Sequence, residues 1–164
     1  MKTIELEKFI QNLSPDLYSF AYILIPDDLQ ATQLMIDAVS VVMIQKISIL
    51  DKWMMTSVDK SQATFEEIKR LLFRSIFEIS KKRINQLKLS LTPPEGDTAF
   101  FQLEFDAKAA LYLKVRGELD LNAIEIILGQ SRPEVLALLS TARIKLGARV
   151  PSIYKQSLEN VNEN

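Results

Sequence analysis

The feature that most constrains the fold of this chain is the scarcity of residues that interrupt a helix. Only four glycines and six prolines occur among 164 residues, so the backbone has few places at which it can turn. Between those places, apolar residues recur every three or four positions, which puts them on one face of a helix. The chain is therefore predicted to be all-α, built from long helices rather than from many short strands.

Two long helices are predicted at the start of the chain. The first runs from Leu6 to Ile25, and Pro15 is expected to break or restart it, because proline lacks the backbone N–H that a helix interior uses. The second runs from Leu29 to Ile49, after a cap at Asp27 or Asp28. The predicted buried stripe of the second helix consists of Ala31, Leu34, Met35, Ala38, Val39, Val42 and Met43.

A third long helix is predicted from Phe65 to Leu89, with Thr64 as its cap. Residues 66–90 hold seven basic and three acidic side chains, a local charge of +4 that falls mostly on the polar face of this helix. The polar stretch before it contains Trp53-Met54-Met55, which is expected to fill the core or make an interdomain contact. The predicted buried stripe consists of Phe65, Ile68, Leu72, Ile76, Ile79, Ile84 and Leu87.

The segment LTPPEGDT, residues 91–98, is the clearest boundary in the chain. Two adjacent prolines cannot lie inside a helix, and the Gly-Asp pair that follows favours a turn. We therefore predict a helical domain over residues 1–90, a linker over 91–99 and a second helical domain over 100–164. The second domain begins with a helix from Phe105 to Arg116, and its last residues, LENVNEN, are a polar tail.

Two short helices in the second half have strong start and stop signals. Asp120 is a cap for residues 121–128, and Gly129 ends that helix. Ser131 and Glu134 then form a capping box, with a proline in the first turn of the following helix. Two short helices joined by a three-residue turn are typical of a helix-turn-helix.

Composition excludes several classes of function. The chain has no cysteine and no histidine, so disulfides, thiolate metal sites and a histidine general base are all impossible. The adjacent acids Asp27-Asp28 and Glu66-Glu67 point in different directions and are typical of helix starts. We therefore expect no enzymatic activity, no cofactor and no metal.

The charge balance and hydropathy limit the range of partners. Lys and Arg total 20 and Asp and Glu total 21, so no overall field attracts nucleic acid. No apolar run approaches the roughly 18 residues that a membrane span requires. The start, MKTIELEKFI, lacks the apolar centre of a signal peptide. A cytoplasmic location without a membrane partner is expected.

The predicted helix pair resembles a known family. The stretch ALYLKVRGELDLNAIEIILGQSRPEVLALLSTARIKL is similar to the C-terminal helix-turn-helix domain of bacterial sigma factors, especially the extracytoplasmic-function group. The positions that match without a gap are Leu121, Ile124, Leu128, Gly129, Ser131, Val135, Leu139, Ala142, Arg143 and Leu146.

The first half resembles the same family less specifically. YSFAYILIPDDLQATQLMIDAV is similar to the helix pair that docks on the polymerase clamp, and FEEIKRLLFRSIFEISKKRI to the promoter-melting helix that follows. The resemblance implies RNA polymerase core and promoter DNA as partners, and an anti-sigma-like protein is a further possibility. It also implies DNA contacts from the basic run Lys81, Lys82 and Arg83, although these residues alone fit a solvated helix end equally well.

The chain departs from the family where the family reads DNA. The DNA-facing Lys, Ser and Arg of the family fall on Leu136, Ala137 and Leu138. Each good base contact gives roughly 1–3 kcal/mol of discrimination, so this loss should largely erase sequence reading. Contacts with phosphates remain open to Arg132, Arg143, Lys145 and Arg149.

The polymerase-docking positions of the family also differ. Its Asp and Gln fall on Gln33 and Ile36, whereas Asp37 keeps an acid. Two functions are therefore open. The first is a divergent sigma-like protein that binds polymerase and promoter with weakened sequence reading. The second is a sigma-derived interaction module whose Leu136/Leu138 face contacts the first domain, another copy of the chain or a foreign protein.

Overall fold

The computed structural model describes residues 2–45, 58–87 and 98–147, and every regular element in these ranges is a helix. The all-α prediction is confirmed. In chain order the helices are α1 (Lys2–Leu24), α2 (Asp28–Gln45), α3 (Val58–Leu87), α4 (Thr98–Phe101), α5 (Phe105–Val115), α6 (Leu121–Leu128) and α7 (Arg132–Gly147).

The first three helices pack against one another around a shared apolar core. Each of them contributes side chains that are almost fully buried, such as Phe20 from α1, Leu34 from α2 and Ile76 from α3. The rings of Phe20 and Phe73 meet edge to face, with centroids 5.3 Å apart. Burial of these large side chains supplies most of the driving force for packing the three helices together.

Helix α1 runs unbroken through Pro15, so the predicted interruption is wrong. Leu13 and Leu17, on either side of the proline, are both buried. The hydroxyl of Ser14 donates to the carbonyl oxygen of Ile10 at 2.8 Å. Packing on both sides of Pro15 keeps the chain helical despite the missing backbone N–H.

Asp27 is the cap of α2, because its carboxylate accepts the backbone N–H of Gln30 at 2.8 Å. The structure thus decides between the two predicted caps. The predicted buried stripe holds at Ala31, Leu34, Ala38 and Val42, which are all buried. Met43 is exposed, so its assignment to the stripe is wrong.

Helix α3 begins at Val58, six residues before the predicted cap, so Thr64 lies inside the helix. No proline or glycine occurs between residues 58 and 64, and nothing in that segment therefore stops a helix from extending. The buried side of α3 also includes Phe73 and Phe77, which the predicted stripe omitted.

Helix α5 ends at Val115, close to the predicted end, and Gly117 follows it. A Cβ atom on Gly117 would lie 2.8 Å from the carbonyl oxygen of Leu113, so only glycine fits there. The left-handed residue of this turn is Glu118, with φ of 50°. The chain can then reverse direction towards α6 within a few residues.

The two halves of the described chain pack against each other. Helix α3 contacts α6, and α1 contacts α5. The rings of Phe20 and Tyr112 have centroids 5.3 Å apart, and those of Phe77 and Phe105 lie 5.6 Å apart. The Tyr112 hydroxyl donates to the carbonyl oxygen of Asp16 at 3.2 Å. The buried residues of both halves form one continuous cluster, and the division into two domains remains a prediction.

Several predictions fall outside the described residues. They concern Trp53-Met54-Met55, residues 91–97 of the linker, Arg149 and the polar tail. The last two residues of the predicted linker, Thr98 and Ala99, belong to α4.

Candidate interaction surface

The turn between α6 and α7 is fixed by capping at both ends. The carboxylate of Asp120 accepts the backbone N–H of Ala123 at 2.8 Å. Gly129 ends α6 in the left-handed conformation, with φ of 63°. These local features were predicted, and the structure confirms both of them. Together they set the angle at which α7 leaves α6.

Helix α7 starts at a capping contact between Ser131 and Glu134. The Glu134 carboxylate accepts hydrogen bonds from the backbone N–H of Ser131 at 2.7 Å and from the Ser131 hydroxyl at 2.9 Å. These two hydrogen bonds lower the pKa of Glu134 below its ordinary value. The predicted capping box is therefore formed on its glutamate side, with the serine hydroxyl donating to the carboxylate.

The side of α7 that is buried is the one predicted from the sequence. Val135, Leu139 and Ala142 are buried, with at most 2% of their surface exposed. Leu146 is partly buried at the end of the same stripe. This side packs mainly against α5 and α6, so the outward side of α7 is left for solvent or a partner.

The outward side of α7 carries no charge along its centre, and the exposed Arg143 lies at its edge, seven residues after Leu136. We call Leu136, Ala137, Ser140, Thr141 and Ile144 the α7 outer face. All five side chains are exposed, and the exposed fraction is 48% for Leu136 and 68% for Ile144. Leu138 behaves differently, because it is partly buried and packs against the core. The predicted apolar face therefore centres on Leu136 and Ile144 rather than on Leu136 and Leu138.

Two of the three basic candidates on α7 are paired with acids. The Arg132 guanidinium contacts the Glu125 carboxylate at 3.1 Å and also donates to the side-chain oxygen of Asn122. Lys145 lies 3.8 Å from the carboxylate of Glu104. Arg143 is exposed and has no carboxylate partner within the described ranges. These pairs lower the net positive charge that α7 presents to a nucleic acid.

The basic run on α3 is also largely neutralised. Lys81 reaches both carboxylate oxygens of Asp106 at 3.0 Å. The Arg83 guanidinium lies 2.8 Å from the carboxylate of Asp37, and its other terminal nitrogen is buried without a hydrogen-bond partner in the described structure. Lys82 is exposed and has no acidic partner among the residues that the structure describes.

Asp106 links three elements of the fold and was not among the predicted site residues. Besides Lys81, it accepts a hydrogen bond from the Gln130 side-chain amide at 2.8 Å. It thereby ties α3 to the turn between α6 and α7. In the sequence it is an ordinary acidic residue in the first turn of α5, which gives no signal of either contact.

The predicted docking residues on α2 have two different environments. Gln33 donates to Asp37 at 2.8 Å, so the Asp37 carboxylate accepts from both Gln33 and Arg83. These hydrogen bonds, with the one from Arg83 dominant, hold the pKa of Asp37 below its ordinary value. Ile36 points outward and is 50% exposed. The polar pair is occupied within the chain, whereas the isoleucine is available to a partner.

A groove of about 850 Å³ lies between α1, α4 and α5. Sequence reasoning assigned nothing here, because the lining residues come from both halves of the chain. Nearby, Lys108 is 8% exposed with its ammonium 5.7 Å from the Phe101 ring centroid, and burial lowers its pKa. The aromatic lining residues are Tyr18, Tyr22, Phe100, Phe101 and Tyr112.

Within the described ranges, no cluster of acidic side chains has the arrangement needed to hold a metal ion. None of the described helices is both long and apolar enough to cross a membrane. Comparisons of the chain with protein-family models, with curated proteins and with solved structures found no match.

Proposed function

We propose that this chain is a sigma-derived helix-turn-helix protein that acts through protein contact and does not read DNA sequence. The observation that carries the proposal is the α7 outer face, whose five side chains are uncharged and include two large apolar ones that are about half exposed or more, with Arg143 at its edge. Base reading in the major groove needs hydrogen-bonding side chains such as Arg, Lys, Asn or Gln. An apolar face instead suits the apolar side of an amphipathic partner helix.

The energetics favour a protein partner over solvent. Covering the exposed parts of Leu136 and Ile144 would contribute about 1–2 kcal/mol for each side chain. Neighbouring apolar residues on one helix face commonly mark an interface. The Glu125 carboxylate already contacts Arg132 at 3.1 Å, whereas the exposed pair of Lys145 and Glu104 is 3.8 Å apart and is weakened by solvent.

A divergent sigma-like protein that binds RNA polymerase core and promoter DNA is the second candidate. Two observations favour it. Lys82 and Arg143 are exposed and have no acidic partner in the described structure, so they could contact phosphates. Ile36 is exposed on α2, where the resemblance places the polymerase contact.

A salt titration with two DNA duplexes separates the candidates. One duplex is promoter-like and the other has the same composition in scrambled order, and binding is followed by fluorescence anisotropy. The proposal predicts weak binding without preference, and a logarithmic salt slope no steeper than about −2 if two cations contact phosphate. A tight complex with one promoter-like duplex at physiological salt would contradict it.

Matched variants identify the cations responsible. Replacing Lys82 and Arg143 together with Ala should bring the salt slope close to zero, because each phosphate contact contributes a slope of about one. Lys8→Ala, at an exposed position on α1, should leave the slope unchanged. If the double variant keeps the parent's slope, these two cations are solvated helix residues without a role in DNA contact.

A further inference from the structure

The groove between α1, α4 and α5 presents aromatic side chains that the core does not fully cover. Tyr22 from α1 and the pair Phe100 and Phe101 from α4 line it, and each of these rings is only partly buried. Val115, which also lines the groove, is 60% exposed. The volume of about 850 Å³ lies within the roughly 300–1,000 Å³ range of ligand pockets. We call this recess the aromatic groove.

The polar groups of the aromatic groove can be covered at little cost. The Tyr18 hydroxyl donates to the Asp28 carboxylate, and the Tyr112 hydroxyl donates to the carbonyl oxygen of Asp16. Covering these two hydroxyls therefore leaves no donor without a partner. The lining includes one carboxylate, from Asp16, and one guanidinium, from Arg116, and both residues are exposed to solvent. An uncharged, apolar occupant suits such a lining, because it meets no net charge there.

The described part of the chain ends beside the aromatic groove. Leu146, in the last turn of α7, is one of the lining residues, and α7 ends one residue later at Gly147. Residues 148–164 follow in the sequence. Each residue spans at most about 3.6 Å of chain, so residues 150–154 lie within about 25 Å of Gly147. The aromatic groove is therefore within their reach.

The composition of residues 150–154 matches the lining of the groove. They read VPSIY, and we call them the VPSIY segment. Val150, Pro151, Ile153 and Tyr154 supply apolar or aromatic surface, and none of the five residues is charged. Proline-bearing segments bind aromatic-lined grooves in several recognition domains, because the restricted backbone of proline loses little entropy on binding.

Attachment to α7 favours the VPSIY segment over a separate molecule. A segment joined to its site by a short connection has an effective concentration on the order of 1 mM. An intrinsic dissociation constant of about 1 mM is therefore enough for half occupancy. A foreign peptide at about 1 µM would have to bind roughly 1,000-fold more tightly to compete equally.

We propose that the VPSIY segment binds in the aromatic groove of its own chain. The lining of the groove comes from both halves of the chain, with Tyr18 and Tyr22 from the first and Phe100 and Tyr112 from the second. The bound segment therefore contacts both halves at once and holds them together. The aromatic groove is a different surface from the α7 outer face, so this inference does not depend on the proposed function.

Disulfide trapping in the full chain tests the proposal, because the sequence contains no cysteine. Ser152→Cys keeps the apolar residues of the VPSIY segment, and Val115→Cys places a thiol in the lining of the groove. Under mild oxidation of dilute protein, this groove pair should form a disulfide within one chain. Ser152→Cys with Ile144→Cys is the matched control pair, because Ile144 is 68% exposed and closer to the segment in sequence. The groove pair should react at least about tenfold faster, since binding raises the local concentration of one thiol at the other.

A third substitution shows whether the apolar side chains cause this difference. Adding Ile153→Asp to the groove pair should bring its rate down to that of the control pair, because the groove offers the new carboxylate little compensation for lost water. Equal rates for the groove and control pairs without Ile153→Asp would overturn the proposal. A disulfide that joins two chains would also overturn it, because the groove would then take the segment of a second copy.

Fluorine NMR supplies a measurement without oxidation. The chain contains four tyrosines, of which three line the aromatic groove and the fourth, Tyr154, belongs to the VPSIY segment. In the full chain labelled with 3-fluorotyrosine, Ile153→Asp should shift the signals of the groove tyrosines. Val161→Asp, beyond the segment, should leave them unchanged, and Tyr154→Phe identifies the signal of the segment.

Two results of the NMR experiment would contradict the proposal. Groove signals that are the same in the parent and in Ile153→Asp would show that the VPSIY segment does not occupy the groove. Groove signals that ignore Ile153→Asp but shift when cell extract is added would assign the groove to a foreign protein.

Discussion

Two carboxylates from other helices pair with cations of the basic run on α3. Asp37 holds Arg83 at 2.8 Å, and Asp106 holds Lys81 at 3.0 Å. Hydrogen bonds from Arg83 and, to a smaller extent, from Gln33 favour the ionised form of Asp37 and lower its pKa. A basic run that looks available to phosphate in the sequence is thus largely used to join helices.

Asp37 should make folding depend on pH below neutrality. Its pKa is lower in the folded chain than the ordinary 3.8, so its contribution is present above that value and is lost as the pH falls through the folded pKa. Asp37→Asn should lower the free energy of unfolding at pH 7 by about 1–2 kcal/mol. Urea unfolding between pH 2 and 7 measures both effects. A variant that loses stability on acidification as steeply as the parent would show that Asp37 makes no such contribution.

The pairing of these residues could not have been predicted from the sequence. Asp37 and Arg83 are 46 positions apart, and Lys81 and Asp106 are 25 positions apart. Such contacts depend on how helices pack, which no local pattern encodes. Counting charges along α3 therefore gave the local excess of positive charge correctly, but it did not show that Lys81 and Arg83 are paired with acids.

At the scale of helices, capping signals in the sequence predicted the structure correctly, whereas the effects of tertiary packing were not predicted. The caps at Asp120 and Gly129 follow from the residues that form them, and both were predicted. The failures at Pro15 and Thr64 have different physical origins. Packing of the flanking residues keeps α1 helical at Pro15, and the absence of a stop signal before Thr64 lets α3 begin earlier. The helical spacing of apolar residues located the long helices, and errors concentrated at their boundaries.

The two leucines of α7 should respond differently to charge. Leu136 is 48% exposed, whereas Leu138 packs against the core. Leu136→Lys should change the free energy of unfolding by no more than about 0.5 kcal/mol. Leu138→Arg should lower it by about 1–2 kcal/mol, because the variant loses apolar burial.

Chemical denaturation of the two single variants checks this difference. Equal losses of stability would mean that both side chains are equally covered and that the α7 outer face is not free. Ala137→Lys, at an exposed position between them, is a suitable control and should behave like Leu136→Lys.

At the scale of the whole molecule, the described helices share one core. Phe20 in the first half meets Tyr112 in the second, and α3 packs against α6. The buried apolar residues between the two halves belong to the same cluster as those within each half. The α7 outer face and Ile36 on α2 both remain exposed outside this core.

This shared core should make the chain unfold as one unit. Calorimetry is expected to give a single transition whose calorimetric and van't Hoff enthalpies agree. Leu113→Ala, at a fully buried position of α5, should lower the midpoint of that single transition. Two separate transitions, with only one shifted by the variant, would instead support two independently folding domains.

The central claim is that the α7 outer face contacts protein rather than DNA, and photo-cross-linking in the native cell tests it most directly. A photoreactive amino acid at Ala137, an exposed position in the centre of this face, should give one discrete protein adduct that is absent when the probe replaces exposed Glu7 on α1. Introducing Leu136→Lys with Ile144→Lys should abolish the adduct. Cross-linking of Ala137 to DNA, or the same adducts from both positions, would contradict the claim.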